Sequence, residues 1–76
     1  MNQNEIITEL RAIFSSVLKE LSDDFSNDAS FLELGGASMD AMKIQMEIRR
    51  TFCKKISIET LYELGSVIKI AQVILQ

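Results

Sequence analysis

The chain has 76 residues, 47% of them hydrophobic, and a formal net charge of −3. That length holds one domain, near the lower limit for a core without staples, and the apolar content is too high for a disordered tail. A single cysteine and no histidine exclude an intramolecular disulfide and any Ser-His-Asp or Cys-His catalysis, and remove the commonest metal ligand and general base.

No apolar run is long enough to span a membrane. Met1-Asn2-Gln3-Asn4 lacks the basic and apolar regions of a signal peptide, so a cytosolic setting is expected. The net negative charge argues mildly against a nucleic-acid partner. It is unevenly spread: residues 1–37 carry seven acids and two cations, whereas residues 38–55 carry two acids against Lys43, Arg49, Arg50, Lys54 and Lys55. The basic group falls towards the end of a predicted helix, where cations complement the helix dipole, and that structural explanation is the favoured one.

The first helix is predicted over Gln3–Leu21. Ile6, Ile7, Leu10, Ile13, Phe14, Val17, Leu18 and Leu21 recur at three- and four-residue steps. Asn2 with Glu5 reads as a capping box. Residues 22–37 form a long connection rich in Asp, Ser, Asn and Gly, a length that in so small a domain is often functional. Phe25, Phe31, Leu32 and Leu34 are expected to pin it to the core. Asp24, Ser26 and Asp28 suggest a calcium loop, but Ala29 stands where that loop needs Gly and Gly35 where it needs Glu, so it is rejected.

The second helix is predicted over Ser38–Cys53 and carries two apolar stripes. At about 100° per residue, Ala41, Ile44, Ile48 and Phe52 fall on one side and Met39, Met42 and Met46 almost opposite. If one stripe meets the core, the methionines are left exposed, as suits a surface that accepts several partners. Burial of both faces in a small bundle is the other reading. Ser57 is expected to cap a short helix with Ile58, Leu61, Tyr62 and Leu64, with Thr60 in the capping-box position. Gly65 ends it, and Ser66 caps a last helix whose core face is Val67, Ile70, Ala71, Ile74 and Leu75, with Val73 added. Cys53, near a helix C-terminus, reads as a partly buried small residue and not a reactive thiol. The fold class is all-α, a small four-helix bundle of three main helices and one short one.

Leu34-Gly35-Gly36-Ala37-Ser38-Met39 is the stretch that carries chemistry. The glycines allow unusual backbone angles and close approach of a second protein. A serine hydroxyl at a helix start lies where unpaired N–H groups and the dipole favour an anion. Ser38 is also a preferred N-cap residue, and that reading stands beside the functional one. Glu33 and Asp40 flank the loop and are expected to serve solvation and the dipole.

The run Asn27 to Met39, with its acid, aromatic-apolar, Leu-Gly-Gly-x-Ser-apolar order, resembles the carrier protein family: the peptidyl carrier (thiolation) domain of nonribosomal peptide synthesis and its acyl carrier relatives. Ile48 to Phe52, Leu61-Tyr62-Glu63 and Val67 to Leu75 are similar to later parts of the same family, so the resemblance covers nearly all of residues 1–76, taken as a single acyl-carrier-protein-like carrier domain. The resemblance implies that Ser38 receives a 4'-phosphopantetheine arm from coenzyme A through a phosphopantetheinyl transferase with Mg²⁺. The arm's thiol would then carry an aminoacyl, peptidyl or acyl group to adenylation, ligase, condensation or other acyl-processing enzymes, the chain itself being non-catalytic and monomeric.

Gly35 and Gly36 would shape the attachment loop, and Ala37, Met39, Met42 and Met46 would face partners. Ala37 stands where the family often has His or Asp, and Gly65-Ser66 replaces its usual Pro-Thr. The net basic second helix and the Gly-Gly-Ala-Ser motif favour the peptidyl-carrier type, or a polyketide-type relative, over a fatty-acid carrier. The initial methionine and compact length suggest a free-standing chain. The alternative of another class is an unmodified helical interaction module.

Overall fold

Asn2 opens the first helix as expected: its side-chain oxygen accepts from the Glu5 N–H at 2.9 Å, and the Glu5 carboxylate accepts from the Asn2 N–H at 3.0 Å. In the computed structural model, which describes all 76 residues, four helices follow in order: α1 (Gln3–Val17), α2 (Ser38–Phe52), α3 (Ile58–Leu64) and α4 (Val67–Leu75). There is no strand; the one β-type contact is an isolated antiparallel bridge between Ser30 and Ser66. α1 packs on α4 and α2, and α3 on α2 and α4. The architecture is the all-α four-helix bundle the periodicity implies.

Sixteen buried apolar residues form one core. α1 contributes Ile6, Leu10, Ile13 and Phe14; α2 Ala41, Ile44 and Ile48; α4 Val67, Ile70, Ala71 and Ile74. Leu18, Phe25, Phe31, Ile56 and Leu61 complete it. Two expected core positions do not join: Leu32 is 63% exposed and Leu75 49%. Leu75 ends α4 one residue from the last in the chain, and Leu32 points outward from a turn whose neighbour Phe31 takes the inward place. Ser57 and Ser66 cap α3 and α4 by accepting from Thr60 and Lys69 N–H groups, and Gly65 lies between them at φ 75°.

α1 stops at Val17, four residues short of the expected Leu21. The cause is tertiary. Arg11 donates to the carbonyl oxygens of Phe25 (2.6 Å) and Asp23 (2.6 Å) and to Asn27 Oδ1 (2.7 Å), with its guanidinium 3.9 Å over the Phe25 ring. A helix continued to Leu21 would end about 15 Å beyond Arg11. The two residues left could span no more than about 7 Å on the way back to Asp23. Ending at Val17 leaves enough chain to turn, and Leu18 still enters the core.

α2 ends at Phe52, with Cys53 in the left-handed region at φ 56°. Cys53 is exposed, not partly buried, because the reversal that aims the chain at Ile56 turns it outward. Gln45 fastens that reversal by donating to the Ile56 carbonyl at 2.8 Å.

Candidate functional site

The connection before α2 contains an ordered single turn that periodicity could not reveal. Ser30 and Glu33 form a second capping box: the Ser30 N–H donates to Glu33 Oε1 at 2.8 Å, and the Glu33 N–H to Ser30 Oγ at 3.1 Å. These bonds favour the ionised form and pull the Glu33 carboxyl below its ordinary value, the backbone bond from Ser30 first. The turn ends in a Schellman arrangement, in which the Gly36 N–H reaches the Phe31 carbonyl and the Gly35 N–H the Leu32 carbonyl, both at 3.0 Å. Gly35 is the left-handed residue that this ending requires, at φ 86°. Gly36 serves a different purpose: a Cβ there would lie 2.3 Å from two ring atoms of Phe31.

The turn is tied to the bundle from behind. The Phe31 N–H donates to the Gly65 carbonyl, and the Ile68 N–H to the Asn27 carbonyl. The Phe31 ring sits edge-on to Tyr62 with centroids 5.8 Å apart. The route from Asn27 to Gly36 is thus fixed by α3 and α4, and it delivers Ala37 extended, at φ −116° and ψ 173°.

Ala37, not Ser38, is the N-cap of α2. The Ala41 N–H bonds the Ala37 carbonyl, so Ser38 is already the first helical residue. Ala37 has no side-chain acceptor to offer; half of a capping box remains, the Asp40 carboxylate accepting from the Ala37 N–H at 3.0 Å. The capping reading of Ser38 is corrected accordingly. Its hydroxyl is exposed and enters no hydrogen bond within the chain. Beside it, the N–H groups of Ser38, Met39 and Asp40 have no intrahelical partner. An exposed hydroxyl, free N–H groups, the positive end of a 15-residue helix and two neighbours without side chains suit a covalently held phosphate.

The methionine stripe is exposed: Met39 71%, Met42 53% and Met46 66%. The two-face burial reading is therefore set aside. Inside the core, the void lined by Phe14, Phe31, Ala41, Ile44, Leu61 and Ile70 measures about 10 Å³, barely the room one water requires. The core as folded holds no larger chamber behind Ser38. No group of three or more potential metal ligands occurs, and no helix is long and apolar enough to cross a membrane.

A small all-α bundle with an exposed serine two residues after a Gly-Gly pair, at the start of its second helix, has the layout of a carrier-type protein. Residues 8–74 match the family described as "Phosphopantetheine attachment site", and the chain belongs to that family: it is a phosphopantetheine carrier domain, of a class that in general is non-catalytic and holds 4'-phosphopantetheine covalently. It is 35% identical over 68 residues to a nonribosomal peptide synthetase, asaC, of Aspergillus flavus, covering 90% of this chain and 6% of that protein's length.

Sequence reasoning missed two contributors to the site. Arg11 carries no motif, and its role follows only from three acceptors 12 to 16 residues away. The Ser30/Glu33 box was in view as a Ser-x-x-Glu signature, hidden by the shortness of the turn it opens.

Proposed function

We propose that residues 1–76 act as one carrier domain with Ser38 as the phosphopantetheine attachment site, serving nonribosomal peptide assembly. The observation that carries the site is the placement of the Ser38 hydroxyl, exposed and without a hydrogen-bond partner, next to three free N–H groups. The synthetase relative supports the peptide-assembly role.

In the proposed modification, Ser38 Oγ attacks the pantetheine-bearing phosphorus of the coenzyme A pyrophosphate. A new P–O bond forms, the bond to the second phosphate breaks, and adenosine 3',5'-bisphosphate leaves. The hydroxyl proton passes to a base of the transferase. This chain has no histidine, and its nearest carboxylate in sequence, Asp40, is engaged with the Ala37 N–H. The chain's own contribution is to hold the oxygen in the open and to stabilise the resulting phosphodiester at the α2 N-terminus. The thiol supplied by the arm holds an aminoacyl, peptidyl or other acyl group as a thioester.

Gly35 and Gly36 shape the approach to that oxygen. Ala37, Met39, Met42 and Met46 form the surface that transferase and acyl-processing enzymes meet, since polarisable methionines adapt to more than one partner. Incubation with coenzyme A, Mg²⁺ and a broad-specificity phosphopantetheinyl transferase tests this reading by intact mass. A gain of one phosphopantetheine is expected; a folded chain that gains nothing, also with the transferase of its own organism, supports the unmodified interaction module instead.

A further inference from the structure

The five cations between Lys43 and Lys55 have almost nothing to do within the chain. Lys43, Arg49, Lys54 and Lys55 make no hydrogen bond or ion pair, and Arg50 meets only Glu47, at 3.4 Å, with its side chain 79% exposed. Such a surface pair contributes about 0–1 kcal/mol. The contrast is Arg11, which spends its guanidinium on three acceptors and a ring. The dipole explanation covers Arg49 and Arg50 in the last turn of α2, but the effect fades beyond that turn, and Lys43, Lys54 and Lys55 lie outside it.

The arrangement around α2 is specific. At about 100° per residue, Met39, Met42, Lys43, Met46, Arg49 and Arg50 fall within an outward sector about 120° wide, opposite Ala41, Ile44 and Ile48. Asp40 and Glu47, the two acids of the helix, fall outside it. The sector opens with Met39 and Met42 near Ser38, takes in Lys43 before Met46, and ends cationic at Arg49 and Arg50 about three turns on; Ser38 lies about 20° beyond its edge. A typical partner covers about 800 Å², roughly one-sixth of this chain's 4867 Å² surface. A footprint of that size that includes Ser38 Oγ is large enough to take in the sector as well. Met and Arg are the residues that protein interfaces favour.

We infer that the phosphopantetheinyl transferase that modifies this chain meets α2 with an apolar pocket for Met42 and Met46 rimmed by carboxylates that face Lys43, Arg49 and Arg50. The inference rests on Ser38 being the modified residue. Charge complementarity selects the partner: the chain as a whole is acidic, so only a partner oriented onto this sector is attracted, and the attraction steers encounter more than it alters the chemical step.

The test measures phosphopantetheine transfer by the transferase of the chain's own organism, against substrate concentration and salt. The expected result for Arg49→Glu/Arg50→Glu is a fall in kcat/KM of about tenfold or more at low salt with kcat little changed. Arg49→Lys/Arg50→Lys should retain activity and melt like wild type; the glutamate variant, with two charges reversed in the last turn of α2, should melt several degrees lower yet be fully folded at the assay temperature. Wild-type kcat/KM should fall as salt screens the attraction. Transfer to the glutamate variant at the wild-type rate, or a wild-type rate that rises with salt, overturns the inference while leaving Ser38 established. Binding to anionic vesicles that the glutamates abolish, with transfer unaffected, would assign the cations to a lipid surface and also overturn it. A folded wild type that is not modified removes the Ser38 reading, and this inference with it.

Discussion

The adjacent glycines before Ser38 should respond differently to alanine. At Gly36 the new Cβ would sit 2.3, 2.3 and 2.6 Å from Cε1, Cζ and Cε2 of Phe31, where carbon atoms prefer about 3.5–4.0 Å. Phe31 cannot retreat cheaply. It is 5% exposed, its ring is set against Tyr62, and its N–H and carbonyl are bonded to Gly65 and Gly36. Gly36→Ala should therefore cost about 2–3 kcal/mol, the upper part of the range for overpacking, which in a domain of this size lowers the melting temperature by about 10–20 °C. At Gly35 nothing lies within 4 Å of a new Cβ, but φ is +86°. Gly35→Ala should cost about 1 kcal/mol: the left-handed penalty, partly offset by a less flexible unfolded chain. Thermal melts of both variants separate the mechanisms, and Phe31→Leu adds a cycle. Because the clash is with the ring, Gly36→Ala/Phe31→Leu should be about 1 kcal/mol or more better than additive. A Gly36→Ala protein that melts within about 2 °C of wild type, or a strictly additive double variant, would refute the packing argument.

Glu33 gives an acid limb to stability. Its folded pKa lies below the ordinary 4.5 through the bonds with Ser30, so its contribution is complete above the unfolded pKa and is lost as pH falls through the folded one. Stability should drop below about pH 4.5, and Glu33→Gln should flatten that part of the profile in denaturant titrations. Cys53→Gly should stabilise the fold by about 0.5–1 kcal/mol, since glycine relieves a left-handed cap at an exposed position; a higher denaturant midpoint with unchanged slope is the expected readout. Met42→Glu should stay within about 0.5 kcal/mol of wild-type stability yet slow transfer to Ser38, whereas a large loss of thermal stability would place Met42 in the core.

Much of this was legible in the sequence because it is local. The Asn2/Glu5 box, Ser57, Gly65 and Ser66 act within four residues, and the apolar steps of α1, α2 and α4 mark the faces that are buried. What escaped depends on chain returning from a distance. The end of α1 is decided by Arg11 reaching Asp23 to Asn27, which no propensity in Leu18 to Leu21 announces. Leu32 and Phe31 are adjacent apolar residues, and only the turn's orientation decides which enters the core. Ser38 shows the same limit at one-residue scale: composition favours a serine cap, but the chain emerging from the Gly35–Gly36 ending is extended at Ala37, so the helix starts a residue earlier than a serine cap would place it and the serine hydroxyl is left free.

The central claim is that this free hydroxyl is the attachment point, and the chain has seven other serines to offer. Peptide mapping by tandem mass spectrometry after transfer from coenzyme A tests it most directly, with Ser38→Ala as a folded control. The account predicts one phosphopantetheine, confined to the peptide containing Ser38 and absent from the variant. Modification at any other serine, or a modified Ser38→Ala protein, would contradict it.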